Sequence, residues 1–423
     1  MLKNITNNEF WKNVITLLSA SVLAQAIPFM LLPILQKWFF TPSNFGILAI
    51  YTSISLLLAS IASFKYELAI VNEESDDNAQ HLFWGSAIIA LIFTIVITII
   101  LKLFTKPISE LFKAEELGNY IMLIPLTIIF VSFGEILNFW NNRKKEFKTI
   151  AAAKISKSIT AESSKLILGK ISLNNGLIIG RIIGEFFSLL FLLTNFIRYD
   201  LASFTKFNFD KTKHILKKNY RFPTFSMPSV FVGNFINVVF IALISRYFGT
   251  TAAGIIGVSV VYVAVAFGIM SQAFSQVFFK EIHEHKSRKE LLNFYLKNAA
   301  ILSTISILII IIVEIIPSNA IVFILGEQWI EMVATLKILV FAYGAQFITS
   351  SLSFIYIRLN KQRTMLIFDI LHLAMIWISI VMAYKFYGSY FSVIIAYTIA
   401  QIVYYLIAFI AAIVFINKAK LQQ

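Results

Sequence analysis

The chain has 423 residues, of which 58% are hydrophobic and 14% charged, with a formal net charge of +14 and a mean hydropathy of +0.80. A composition this apolar exceeds what a water-soluble domain can bury. The absence of cysteine also removes disulfides, thiolate metal sites and cysteine nucleophiles from consideration.

About 20 apolar residues suffice to cross a hydrocarbon core; many stretches meet this, and twelve spans can be placed in succession. The first half places helices near 13–36, 44–64, 82–104, 118–139, 148–170 and 176–197. The second half places them near 222–245, 250–277, 292–316, 331–357, 365–384 and 389–416. Residues 1–26 imitate a signal peptide, with Lys3 and Lys12 ahead of an apolar run and a small-residue site at Ala24-Gln25-Ala26. The apolar run continues to Leu35 and further spans follow, so an uncleaved first helix is expected.

The turn after the first helix, Lys37-Trp38-Phe39-Phe40-Thr41 leading to Gly46-Ile47, is echoed after the seventh by Arg246-Tyr247-Phe248-Gly249-Thr250 leading to Gly254-Ile255. An even number of spans in each half leaves both copies facing the same way, which is the pattern of parallel repeats about an axis along the membrane normal. The expected fold is an all-α integral membrane protein of about twelve transmembrane helices in two pseudo-twofold-related six-helix bundles. The halves run 1–200 and 201–423, with 198–221 as the link. Halves of this kind rock about a site near the bilayer midplane, which points to transport.

With the N-terminus in the cytoplasm, inner segments hold 24 Lys and Arg against 7 in outer ones. The positive-inside bias then puts both termini in the cytoplasm. It also accounts for most of the net charge and leaves no case for a nucleic-acid surface, while basic inner loops suit anionic lipid headgroups.

The fifth span departs from this pattern. It carries Lys154, Lys157, Glu162 and Lys165 across the membrane, where one central charge costs at least about 2.5–3.5 kcal/mol. At about 100° per residue Lys154 and Lys165 fall on one line with Lys157 about 60° away, and Ser158 shares the arc. That stripe suits an aqueous cavity receiving anions. A helix lying in the interface with snorkelling lysines is the alternative. The sixth span adds Arg181 and Glu185, spaced to pair on one face, which makes simple self-neutralisation a strong competing account.

Glu135, Glu314, Lys337, Gln346, Asp369, His372, Asn234 and Asn237 are further polar groups within spans, each suited to helix–helix hydrogen bonding. Among them Glu314, Asp369 and His372 can titrate if transport is ion-coupled. Pro28 and Pro33 in the first helix correspond in position to Pro223 and Pro228 in the seventh, where rocking halves would bend. The tempting His283-Glu284-His285 lacks the i, i+4 spacing of a zinc-binding helix, so no metal, cofactor or catalytic residue is assigned.

The loops resemble the polysaccharide transporters of the multidrug, oligosaccharidyl-lipid and polysaccharide exporter (MOP, MATE-like) superfamily, and within it the O-antigen and capsular repeat-unit flippases. In the first half the matching stretches are Lys65-Tyr66-Glu67-Leu68-Ala69-Ile70 with Asp76-Asp77, Asn142-Arg143-Lys144-Lys145-Glu146-Phe147, Leu168-Gly169 and Gly176-Leu177-Ile178-x-Gly180. In the second they are Arg221-Phe222-Pro223-x-Phe225-Ser226-x-Pro228, Ser245-Arg246-Tyr247-Phe248-Gly249, Gln276-Val277-Phe278-Phe279-Lys280-Glu281 and Leu325-Gly326-x-x-Trp329.

The resemblance implies a flippase in the bacterial inner membrane. Its cargo would be an undecaprenyl-diphosphate-linked oligosaccharide, moved from the cytoplasmic to the periplasmic leaflet, with polysaccharide polymerase and ligase machinery as partners. Lys154, Lys157, Lys165 and Arg181 suit the diphosphate. A multidrug or cation exporter on the same fold would favour an acidic cavity, and a membrane glycosyltransferase or polymerase would expose a larger outer loop.

Overall fold

The computed structural model describes residues 9–419, apart from 205, 206, 283, 286 and 360; His283 of the discarded motif therefore lies outside the described residues. Among the described residues the first six long helices are α1 (Glu9–Trp38), α2 (Pro42–Ile61), α3 (Asp76–Leu103), α4 (Ile124–Arg143), α5 (Phe147–Lys170) and α6 (Gly176–Tyr199). They are followed by α7 (227–248), α8 (250–281), α9 (Arg288–Ile315), α10 (Ile330–Ser351), α11 (Gln362–Tyr387) and α12 (Tyr390–Lys418). The helices α7 and α8 form one run, Met227–Glu281, broken at Gly249, whose φ of 85° belongs to the region that favours glycine.

Helix starts follow local chemistry. Thr41 opens α2 with a capping box to Asn44 and Pro42 in the first turn, and Ser287 with Glu290 does the same for α9. The fourth helix begins at Ile124 instead of near 118 because Pro125, lacking an N–H, fits only a first turn. Ahead of Met227, residues Phe222–Ser226 form a π-helical turn that contains Pro223. Pro228 then falls at the second position of α7, while Pro28 and Pro33 lie inside α1.

Nine runs among the described residues are long and apolar enough to cross a membrane by length and composition, and one, Phe222–Ser271, contains α7 and much of α8. Helix α5 is not among them, as its charges require. Exposed apolar stripes such as Ile92, Ile95, Val96 and Ile99 on α3 and Ile307, Leu308, Ile311 and Ile312 on α9 recur at helical spacing and suit lipid, not water.

Contacts divide the chain into compact units 1–250 and 251–423. The boundary at residue 200 comes from repeated pattern and stays a proposal. Contacts draw the line later because α7 is tied into the first unit: Asn234 donates to Ser60 Oγ at 3.0 Å and Ser245 to the Phe112 carbonyl at 2.6 Å. The two copies of the repeated turn also meet there, with Ser43 Oγ 2.8 Å from Thr250 Oγ1.

In the first unit α5 packs against α1 on one side and α6 on the other. Lys154 meets Ser21, Ser158 meets Ala24, and Gly169 meets Phe39. The nearly constant offset means that α5 runs parallel to α1 along its length, so it crosses whatever α1 crosses.

In the second unit α10 packs on α9 and α12, and α12 on α11, around buried Tyr295, Leu302, Trp329, Leu339, Ile376 and Ile394. The turn before α10 needs Gly326, whose φ is 96°.

Candidate functional site

Helices α5 and α6 approach closely because α6 carries glycine at 176, 180 and 184. A Cβ on Gly184 would stand 2.6 Å from Ala161 Cβ and 2.9 Å from the Lys157 carbonyl, and one on Gly180 would stand 2.6 Å from Lys165 Cγ. This is the small-residue spacing by which membrane helices pack backbone to backbone. It brings the charges of the two helices together.

Lys157 Nζ lies 2.7 Å from Glu185 Oε1, and Arg181 lies 3.7 Å from the same oxygen. Lys165 pairs with Glu162 on its own helix at 2.5 Å. Lys154 instead donates to Ser21 Oγ on α1 at 3.2 Å, and among the described residues it makes no ion pair. One helical turn further on, Ser158 donates to the Ala24 carbonyl at 2.7 Å. The two carboxylates are enclosed, at 5% side-chain exposure each, while Lys157 is 42% exposed. Tyr51 of α2, hydrogen-bonded to Thr127 at 2.6 Å, lies within electrostatic reach of Arg181 and Glu185.

The expected stripe thus resolves into separate roles. Lys165 is neutralised by Glu162. Lys157 and Arg181 share one carboxylate, and Lys154 has none. The self-neutralising pair foreseen for Arg181 and Glu185 exists, but at the longer of Glu185's two distances. What the sequence left unseen are Ser21 and Ala24 on α1 and the glycine seam; the repeat of glycine every fourth residue was the available signal for the seam.

A second charged group was also missed. In the turn after α2, Phe64 and Lys65 both adopt positive φ, 54° and 62°, a conformation that side chains disfavour. The turn buries Lys65 between Glu67 at 3.1 Å and Glu135 of α4 at 3.3 Å, and Ser63 donates to Glu67. Burial by itself pulls the Lys65 ammonium down, but Glu135 and Glu67 more than offset it and hold the group above the ordinary lysine value.

Two of the motifs that carry the family resemblance, 65–70 with Asp76-Asp77 and 142–147, converge beside it. Arg143 donates to the Ile70 carbonyl at 2.9 Å, to the Glu73 carbonyl, and to Asp76 at 2.7 Å. The short helix Phe209–Lys218 closes over the same end of α3, through Lys211 to Asp77, Lys218 to Glu73 and Thr212 to His81.

In the second unit Asp369 and His372 of α11 come together against α12. Tyr404 donates to Asp369 at 3.2 Å and stacks on the His372 ring at 3.7 Å. His372 Nε2 lies 2.8 Å from Gln401 Oε1, and Gln401 donates to Tyr397 at 2.7 Å. Glu314 does not join them. It is exposed one residue before the end of α9, where its carbonyl accepts from Lys337 at 2.8 Å. Among the described residues no group of three His, Asp or Glu could hold a metal ion.

The fold is similar to that of solved transporters of the MOP superfamily. An inward-facing multidrug resistance MATE family transporter of that superfamily superposes with a TM-score of 0.69 at 14% identity, over 96% of each chain. The lipid II flippase MurJ in an inward closed conformation gives 0.69 at 13% identity, over 96% of this chain and 88% of that one. A MOP superfamily transporter from Pyrococcus furiosus, whose binding pocket of reverse polarity suggests a different function, gives 0.56 at 14%, over 96% of each. No curated protein matches the chain. The chain belongs to the polysaccharide biosynthesis protein family, whose family model matches residues 38–334.

Proposed function

We propose that the protein is a flippase that carries an undecaprenyl-diphosphate-linked oligosaccharide, the repeat unit of an O-antigen, capsule or related polysaccharide, from the cytoplasmic to the periplasmic leaflet of a bacterial inner membrane. Both termini lie in the cytoplasm, and the two halves, 1–200 and 201–423, rock to give alternating access. Downstream polymerase and ligase machinery consumes the product.

The observation that supports this reading best is the set of three cations, Lys154, Lys157 and Arg181, held within the first unit against a single carboxylate, Glu185. Unbalanced positive charge among transmembrane helices is costly and suits a cargo whose polar head is a diphosphate. Lysines act as mobile point charges that grip and release phosphate. The family and the fold shared with a lipid II flippase support the same class of cargo. A drug or cation exporter would place surplus carboxylate here instead.

The test is surface polysaccharide display in cells that carry Lys154→Ala or Lys154→Glu in place of the wild type. Loss of display at normal protein level is expected, and normal display would sink the proposal. Ion coupling, by Asp369 with His372, is checked in proteoliposomes: flipping accelerated by a proton or sodium gradient in wild type should lose that acceleration in Asp369→Asn. Flipping by wild type that ignores both gradients would remove the coupling.

A further inference from the structure

A plain anion receptor would have no use for a carboxylate in contact with its cations, yet Glu185 is placed there and nearly enclosed. One oxygen serves both Lys157 and Arg181, and it accepts no aligned hydrogen bond. Lys157 is 42% exposed against 5% for Glu185. An incoming anion can therefore reach the ammonium from the side away from its internal partner. Lys154, one turn earlier on α5, lies within electrostatic reach of Lys157. On α4, Glu135 also lies within reach of Lys157 but is engaged by Lys65 at 3.3 Å.

Resting on the reading that this cluster receives a diphosphate, we infer that Glu185 is a built-in counter-ion that sets the selectivity of the site, so that a lipid is held only when its head brings more than one negative charge. Each phosphate linked on both sides, as in a sugar-capped diphosphate or a phosphodiester lipid, brings one charge. A phospholipid with a single phosphate meets cations that are already partly neutralised and gains little by competing with Glu185. A diphosphate can engage Lys157 or Arg181 with one phosphate and Lys154 with the other.

The need for such a filter follows from the setting. A flippase that admits lipid heads meets ordinary phospholipids in large excess over its cargo, and attraction alone does not separate them. Discrimination then requires an element that penalises the wrong ligand. Glu185 is not needed to hold α5 to α6, because the glycine seam already sets their approach.

The experiment uses the full-length protein in nanodiscs and three probes: an undecaprenyl-diphosphate-linked monosaccharide, an undecaprenyl-monophosphate-linked monosaccharide, whose phosphodiester brings a single charge, and phosphatidylglycerol as competitor. Wild type should prefer the diphosphate lipid. Glu185→Gln should bind both prenyl lipids more tightly, narrow their affinity ratio by about tenfold, and become sensitive to phosphatidylglycerol. Glu185→Asp, which keeps the charge on a shorter side chain, should give a ratio between those of wild type and Glu185→Gln, which a merely structural carboxylate would not control.

A ratio unchanged in Glu185→Gln, or weaker binding of both lipids at unchanged thermal stability, would overturn the inference and leave the proposed cargo standing. Should Glu185→Gln fail to fold, Glu185→Asp decides alone. Its shorter carboxylate should loosen the grip on Arg181 and shift the ratio partway, and no shift overturns the inference. Wild type that binds neither prenyl lipid would refute the proposed function itself, and the inference with it.

Discussion

The two units solve the problem of polar groups among apolar helices in opposite ways. In the second, Asp369, Tyr404, His372, Gln401 and Tyr397 form a connected set joined by hydrogen bonds and a ring stack. On α5 and α6 of the first, three cations face one carboxylate and a fourth is matched by its own partner, while Lys65 sits apart between Glu67 and Glu135. The contrast separates a network joined by hydrogen bonds and ring stacking from a cluster in which cations outnumber the carboxylate they share.

The largest effect should come from inverting that imbalance. Lys157→Glu with Arg181→Glu surrounds Glu185 with like charge and should abolish polysaccharide display, with protein level as the control. Display at wild-type level would erase the distinction between the units.

Next comes a crossover between two lysines that the sequence treated alike. Lys165→Ala strands Glu162 and should cost about 3 kcal/mol of stability, read as a lower melting temperature in detergent. Lys154→Ala strands only a serine and should leave melting unchanged while weakening binding of the diphosphate lipid. The reverse pattern would mean that the ion-pair assignments are misplaced.

Replacing Gly184 by Leu should cost about 1–3 kcal/mol through overpacking against Ala161. The cation spacing should then be lost with the seam, and wild-type melting in that variant would contradict the close approach. The smallest effect concerns Lys65. Because its folded value is raised, its stabilisation is fully present below the ordinary value of 10.5 and is lost only as pH rises through the raised value. Thermal stability should therefore show no dependence on this group through the neutral range. Above 10.5 it should fall further in wild type than in Lys65→Gln.

Much of the fold was legible because lipid imposes a coarse rule, a long apolar run for each crossing, and all twelve expected helices are present. The in-span lysines were legible for the same reason, since a charge in such a run stands out. Their partners were not. Ser21 and Ala24 lie more than a hundred residues from Lys154 and Ser158 and have no distinctive chemistry of their own. The pairing of Lys65 with Glu135 depends on two residues adopting a left-handed turn that no glycine announces. Lys165 and Lys154 share a helical face, yet helix geometry could not say that Glu162 would claim one of them.

The glycine seam carries a consequence for how the site works through a transport cycle. With α5 and α6 in backbone contact, Lys157 and Arg181 sit on what is mechanically one beam, and any rocking must carry them together. The backbone spacing beneath the two cations is then constant. In the proposed cycle, release would depend on what approaches or leaves the beam and on side-chain motion, not on the two helices drifting apart.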